Sequence, residues 1–439
     1  MKNHFVHTPC GPVQGAAGGA DGVSVFRGIR YATAGRWEYP RQVTHWDGVY
    51  DAANFGACSF QPRAFYSEED VPEKAFYYNE FRRGEHYDYS EDCLFLNIWA
   101  PDNAQKAPVI VYIHGGAFLG GSGWDKVFDE PHWPRQGVIA VTINYRLGPL
   151  GYACLPELTD EAGHTGNYGL YDQLCALQWI HTNIEAFGGD PENITLMGQS
   201  AGARSVQMLC SSTASENLIH RAVMSSGGGE PSILFTGDRR MGSKYPFWQI
   251  WKNKVGAQTV NELRSLPVEQ LFGALGDCLK ICGFSAVMEN MGPVWDNALF
   301  MEEMPTLKIP YLAGGNSEDM RPELAMDGLR WCQKQPIASY AYYFCRQLPG
   351  DDKGAWHSAD LWYWFGSLEN SWRPFTREDR VLSDMMISYL VNFARTGDPN
   401  APGLPAWENA GQSGRVLRLD LHDLSMDSEV AGKSGVFGW

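Results

Sequence analysis

Residues 194–203, Ile194-Thr195-Leu196-Met197-Gly198-Gln199-Ser200-Ala201-Gly202-Ala203, change periodicity part-way along. A short apolar β-run ends at Met197, and Ala203, Val206, Gln207, Met208 and Leu209 continue with helical spacing. The join is G-x-S-x-G. A strand must therefore turn sharply into a helix with a serine at the bend. The flanking glycines permit this, because a Cβ at either place would crowd the neighbouring strand and helix. Ser200 also falls at a helix N-terminus, where free N–H groups and the dipole favour negative charge. The motif alone is a weak signal. A βα turn capped by a serine has the same sequence, so the serine needs partners elsewhere in the chain.

The rest of the chain supplies a scaffold for such a turn. Pro108–Ile113 and Val138–Ile143 are near-continuous apolar runs, the pattern of strands buried on both faces. Leu94–Trp99, Ala222–Ser225, Ile309–Ala313, Tyr340–Cys345 and Arg415–Leu419 are further strand candidates. Residues 168–187 have the spacing of a helix (Leu170, Leu174, Leu177, Ile184, Phe187), stopped by Gly188-Gly189-Asp190-Pro191. Residues 379–395 form a second, amphipathic helix along Val381, Met385, Tyr389 and Phe393. Residues 5–35 are short strands with glycine turns and predict a small antiparallel edge. Residues 230–305 are helical without a β-run and predict an insertion over the sheet. Strands alternating with helices give an α/β fold with a mostly parallel central sheet flanked by helices, here a single domain over residues 1–439. Ligands of such sheets gather at the carboxyl ends of the strands.

Charge and segment lengths exclude other classes. A net charge of −16 argues against nucleic acid and anionic membrane surfaces as partners. The first residues lack the apolar core of a signal peptide, and no apolar run reaches the roughly 18–20 residues of a membrane span. A cytoplasmic location is the expectation. The ten scattered cysteines then predict free, mostly buried thiols. Cys278 and Cys282 have helical spacing but no histidine nearby, which favours packing over metal binding. Residues 60–92 mix aromatics with dense charge and are either a lid or pocket wall, or a surface loop.

A serine hydroxyl needs a general base, the base needs an orienting acid, and the developing oxyanion needs preplaced donors. His114-Gly115-Gly116 follows a buried strand. The N–H groups of Gly115 and Gly116, with that of Ala201, would form an oxyanion hole. Of eleven histidines, only His357 and His422 come late enough for the order serine, acid, histidine. His357 is favoured, because its loop is rich in small residues whereas His422 sits in a polar tail. Glu318 and Asp319 both follow the Ile309–Ala313 strand, and spacing does not separate them.

Four stretches resemble the type-B carboxylesterase/lipase family of α/β-hydrolases. They are Phe26-Arg27-Gly28-Ile29-Arg30-Tyr31-Ala32, Ser90–Ile98 around Glu91-Asp92-Cys93-Leu94, the block from Gly166 to Ala203, and Phe393–Asn400. The resemblance runs from about residue 5 to 420. It implies the α/β-hydrolase fold, Ser200 as nucleophile, His357 as base, and Gly115, Gly116 and Ala201 as the oxyanion hole, with no metal or organic cofactor. The family's acid is a glutamate, and its position falls here on Asp319, with Glu318 as rival. Gln199 replaces the family's usual glutamate. The resemblance also raises a Cys58–Cys93 bridge, which a reducing compartment would leave as thiols. Glu91 and Asp92 are expected to be structural ion partners.

These features predict hydrolysis of a small-molecule carboxylic ester through an acyl-serine. Lactones, carbamates or amides are alternatives on the same residues, as is a catalytically silent binding protein. Phe118, Trp124, Trp362 and Trp364 are candidates for an aromatic substrate pocket, or equally for core.

Overall fold

The computed structural model describes residues 4–66, 76–230, 237–303, 305–321, 323–428 and 430. Its main sheet comprises β1 (Ala16–Ala17), β2 (Val23–Arg30), β3 (Phe95–Pro101), β4 (Ala107–Ile113), β5 (Ile139–Ile143), β6 (Gly189–Gln199), β7 (Arg221–Ser225), β8 (Tyr311–Asn316), β9 (Tyr340–Phe344), β10 (Val416–Leu419) and β11 (Met426–Asp427). Their order across the sheet is β11-β10-β9-β8-β7-β6-β4-β5-β3-β2-β1. The pairs from β5 through β4, β6, β7, β8 and β9 to β10 are parallel. β3 runs antiparallel to both β2 and β5, so the expected antiparallel edge is present at the N-terminal side.

The helices that matter for the site are α1 (Tyr168–Asn183), α2 (Ala201–Leu209), α3 (Met241–Val255), α4 (Val268–Cys282), α5 (Phe284–Asn290), α6 (Leu324–Gln333) and α7 (Arg377–Thr396). Along β4 the side chains alternate between two cores. Val109, Val111 and Ile113 pack in the same core as Leu170, Leu174 and Leu177 of α1. Ile110 and Tyr112 point the other way, into the core that holds Met386, Leu390 and Phe393 of α7. Both faces are covered, which is why the central strands carry apolar residues without a polar alternation.

Several boundaries differ from the expectation. α1 ends at Asn183, and Ile184–Phe187 tightens into a 3₁₀ turn closed by Gly188 at φ +86°. β6 starts at Gly189, well before Ile194, because Gly189 already pairs with Ala107 across a register shift. On α7 the expected stripe is wrong at its start. Val381 is 54% exposed, and Leu382, Met386 and Leu390 are buried instead. A strict four-residue step advances about 40° around a helix and soon leaves the core face. Within the expected insertion over residues 230–305, α3, α4 and α5 are helices and residues 291–303 carry none. Trp251 of α3 ties two of them together by donating to the Leu271 carbonyl of α4 at 2.9 Å.

All ten cysteines are free thiols, Cys58 and Cys93 included. Glu91 and Asp92 pair with Arg36 and Arg30. Among the described residues, no helix is long and apolar enough to cross a membrane.

One buried ion pair holds the α1 layer to the N-terminal region. Arg146 donates to Asp172 of α1 through Nε at 2.8 Å and Nη2 at 2.7 Å, and through Nη1 to the carbonyls of Gly35 and Glu38. Both side chains are buried. Removing one member strands the other charge, which typically costs about 3–5 kcal/mol. Asp172→Ala is therefore expected to lower the unfolding free energy by about that amount in a urea titration.

Candidate active site

The parallel pairing brings the carboxyl ends of β4, β6, β8 and β9 to one edge. β4 runs into His114-Gly115-Gly116, β6 into Ser200, and β8 into Ser317-Glu318-Asp319, while the segment after β9 carries His357. Residues far apart in sequence thus meet at one place, as parallel α/β sheets require.

Ser200 adopts φ +56°, ψ −121° between β6 and α2. A residue with a Cβ pays about 1–3 kcal/mol for such a conformation, so the surroundings must impose it. They do so by contact. A Cβ on Gly202 would stand 2.0 Å from the Ile113 carbonyl oxygen, and one on Gly198 2.4 Å from the Gly202 carbonyl carbon. Gly227, which the sequence reasoning overlooked, would collide with the Ser200 carbonyl at 2.1 Å. The Ser200 N–H donates to the Ser225 carbonyl at 2.8 Å and pins the turn to β7.

The glycine turn is strained as well. Gly116, Ala117 and Phe118 follow one another at φ +111°, +56° and +59°. A Cβ on Gly116 would lie 2.0 Å from the Gly120 carbonyl oxygen, and one on Gly115 3.1 Å from Ser200 Cβ. Gly115 and Gly116 line the same cavity as Ser200. Ala201, the first residue of α2, is buried behind the serine, with its N–H at the open helix end.

His357 Nδ1 meets Asp319 Oδ1 in a short contact. Asp319 is fully buried, and its carboxylate also accepts from the N–H groups of Asn316 and Met320 at 3.2 and 2.8 Å. Glu318 faces elsewhere. Its Oε2 accepts from the Ala355 N–H at 2.8 Å, and its own N–H donates to the Ala355 carbonyl. Of the two acids, Asp319 touches the imidazole and Glu318 anchors the loop that carries it. The second ring nitrogen, Nε2, lies 3.2 Å from the Gln199 amide nitrogen. That amide can only donate, so Nε2 accepts and the ring proton sits on Nδ1, facing Asp319. His422 is exposed on the tail.

A cavity of about 690 Å³ opens over these groups. Ser200, His357 and Gln199 line it, as do Phe284 and Met288 of α5. Tyr77 and Phe81 add a wall from the 60–92 excursion, and Tyr77 donates to the His357 carbonyl at 3.1 Å. Part of the described excursion is therefore pocket wall and part, such as Phe65 and Tyr66, is exposed surface, while residues 67–75 lie outside the described residues.

The four aromatic candidates are absent from the cavity lining. Phe118 packs on Tyr152, and Trp124 is stacked between Phe55 and Tyr87. Trp362 and Trp364 are fully buried in the core. Nearness in sequence to Gly116 and His357 did not fix the direction of these side chains. Asp360 was missed altogether. It is buried and accepts from Ser225 Oγ and Tyr342 OH, both at 2.7 Å, so it braces β7 and β9 beneath the site. The available signal was a lone carboxylate inside an aromatic run, which burial obliges to find donors.

The model of the Carboxylesterase family matches residues 2–330 and 324–434. The chain belongs to the carboxylesterase family. Para-nitrobenzyl esterase of Bacillus subtilis is 36% identical, with 96% of each chain covered, and phenmedipham hydrolase of Pseudarthrobacter oxydans is 35% identical, with 92% of each covered. Among solved structures, a PNB esterase superposes with a TM-score of 0.81 at 25% identity over 97% of each chain. The fold is that of the α/β-hydrolases.

Two predictions arise from this packing. Gly202→Ala is expected to destabilise the protein by about 1–3 kcal/mol or more, because a backbone oxygen occupies the Cβ position. Gly276→Ala, inside α4 with open space around it, is expected to stabilise by up to about 1 kcal/mol. Thermal unfolding of the pair checks both signs. The second concerns His114, whose buried ring donates from Nδ1 to the Gly115 carbonyl and stacks on Tyr145. Burial lowers its pKa to about 4. Above pH ~6.5 the ring is neutral in folded and unfolded chains and contributes no pH dependence. Between about 6.5 and 4 the unfolded chain gains a proton that the folded chain refuses, so stability falls, by on the order of 3 kcal/mol. Urea unfolding across that range should show a slope shallower by about one proton in His114→Asn than in the parent.

Proposed function

We propose that this chain hydrolyses carboxylic esters through an acyl-Ser200 intermediate. The observation that carries the reading is the His357–Asp319 contact, set beside a serine held at positive φ in the same cavity. Family membership supports the ester-hydrolase class, and one relative is named as an esterase for para-nitrobenzyl esters.

Ser200 Oγ attacks the ester carbonyl carbon while its proton passes to His357 Nε2. Asp319 keeps the ring oriented and stabilises the imidazolium. The carbonyl oxygen becomes negative and takes hydrogen bonds from the N–H groups of Gly115, Gly116 and Ala201. Collapse breaks the ester C–O bond, and the imidazolium gives its proton to the departing alcohol. Water then attacks the acyl-serine with His357 as base, releasing the acid and restoring the hydroxyl. Gln199 occupies Nε2 at rest, so its amide must yield that lone pair to the serine or to water in each half-reaction. We also infer a cytoplasmic location, which the free thiols support.

Ser200→Ala is expected to lower kcat on a 4-nitrophenyl ester by about 10⁶, as loss of the nucleophile does in other serine hydrolases. A variant that keeps near-parental turnover would refute the assignment.

A further inference from the structure

The chain carries a net charge of −16, yet its cavity is lined by four basic residues, Arg63, Arg239, Lys244 and Arg321, against two acids, Asp125 and Glu289. Arg63 stands beside the glycine turn. A Cβ on Gly120 would lie 3.6 Å from Arg63 Nε and 3.7 Å from Cζ, and the Gly120 N–H donates to the Gly116 carbonyl at 3.0 Å. The guanidinium therefore stands on the same turn as the proposed oxyanion donors. Gln61 fixes it there. The Gln61 side chain accepts from the Gly121 N–H and donates to the Gly121 carbonyl, both at 3.0 Å, and locks the 61–63 segment onto the glycine turn.

Among the described residues, Arg63 has only a shared claim on a carboxylate, that of Asp125. It makes no ion pair there, and its buried Nη1 has no hydrogen-bond partner. Asp125 is already engaged by Arg82 at 2.8 Å and by Ser122 Oγ at 2.8 Å. Two guanidinium groups thus share one carboxylate. Burial and the neighbouring Arg82 push Arg63 down to about 10, which still leaves it charged at neutral pH. A half-buried cation with only a shared counter-charge and an unpartnered Nη1 is better satisfied when a ligand supplies an anion.

We propose that Arg63 is an anion subsite of this cavity, and that the substrate is an ester bearing a carboxylate a few atoms from its scissile carbonyl. This rests on the ester-hydrolase reading and narrows it to anionic esters. The carboxylate can belong to the acyl or to the alcohol half, and two substrate pairs separate these sources. One is 4-nitrophenyl hydrogen glutarate against 4-nitrophenyl pentanoate. The other is 4-carboxyphenyl butyrate against 4-carbamoylphenyl butyrate.

In at least one pair the parent enzyme should favour the anionic member in kcat/KM by about 10- to 100-fold, the effect of one charge-assisted hydrogen bond. Arg63→Met should reduce that ratio at least tenfold, and Arg63→Lys should recover part of it. Ratios of one or below in both pairs of the parent enzyme would overturn the proposal without any variant being needed. So would a ratio that Arg63→Met leaves unchanged. If the ester-hydrolase reading itself failed, every ester would remain uncleaved. Glutarate titrated calorimetrically into the Ser200→Ala protein then decides. Saturable binding lost on adding Arg63→Met supports the subsite, and absence of binding overturns it.

Discussion

The site depends on one backbone constraint: Ser200 is held at positive φ where β6 meets α2. The strain is local, but what imposes it is spread over the sheet edge. Gly198, Gly202 and Gly227 surround the turn at distances that admit no Cβ, and the contacting atoms belong to β4, to α2 and to the serine's own backbone. The hydroxyl is therefore held by close packing rather than by its own rotamer preferences. The neighbouring glycine turn follows the same logic, with three successive positive φ values packed against Gly120 and Ser200.

Around that constraint, charges are buried in an ordered way. Asp319 faces the imidazole, Glu318 takes the backbone of the 355 loop, and Asp360 gathers donors from β7, β8 and β9. Each carboxylate is buried or half-buried, and each has donors, which is the condition for tolerating burial. The cationic side is less balanced. Arg82 pairs with Asp125, Arg63 has only a share of that carboxylate, and Arg63 lines the cavity. An acidic protein with a basic cavity selects for ligand charge locally, independently of its overall field.

The scaffold was largely legible in the sequence because buried parallel strands are continuous apolar runs, and because G-x-S-x-G lies where such a run turns into a helix. The order of serine, acid and histidine then left few histidines to consider. Spacing could not separate Glu318 from Asp319, since adjacent residues leaving a strand point to opposite sides, and only the loop's path decides which meets the ring. The four aromatic candidates lie away from the cavity for a related reason. Trp362 and Trp364 follow His357 closely in sequence but sit on a short buried helix, whereas Tyr77 and Phe81 reach the cavity from a segment nearly 300 residues earlier. Arg63 carried no sequence signal, because an unmatched charge is visible only once its neighbours are in place.

In the proposed reaction the Ser200 hydroxyl, the His357 imidazole and the glycine turn act on one carbonyl. The most direct measurement is a crystal structure of the protein after reaction with a fluorophosphonate. The expected structure has phosphorus bonded to Ser200 Oγ and a phosphoryl oxygen about 2.7–3.1 Å from the amide nitrogens of Gly115, Gly116 or Ala201. In it, His357 Nε2 has turned from Gln199 toward the adduct. Phosphorus on another residue, or a phosphoryl oxygen pointing away from the glycine turn with the imidazole still on Gln199, would contradict it.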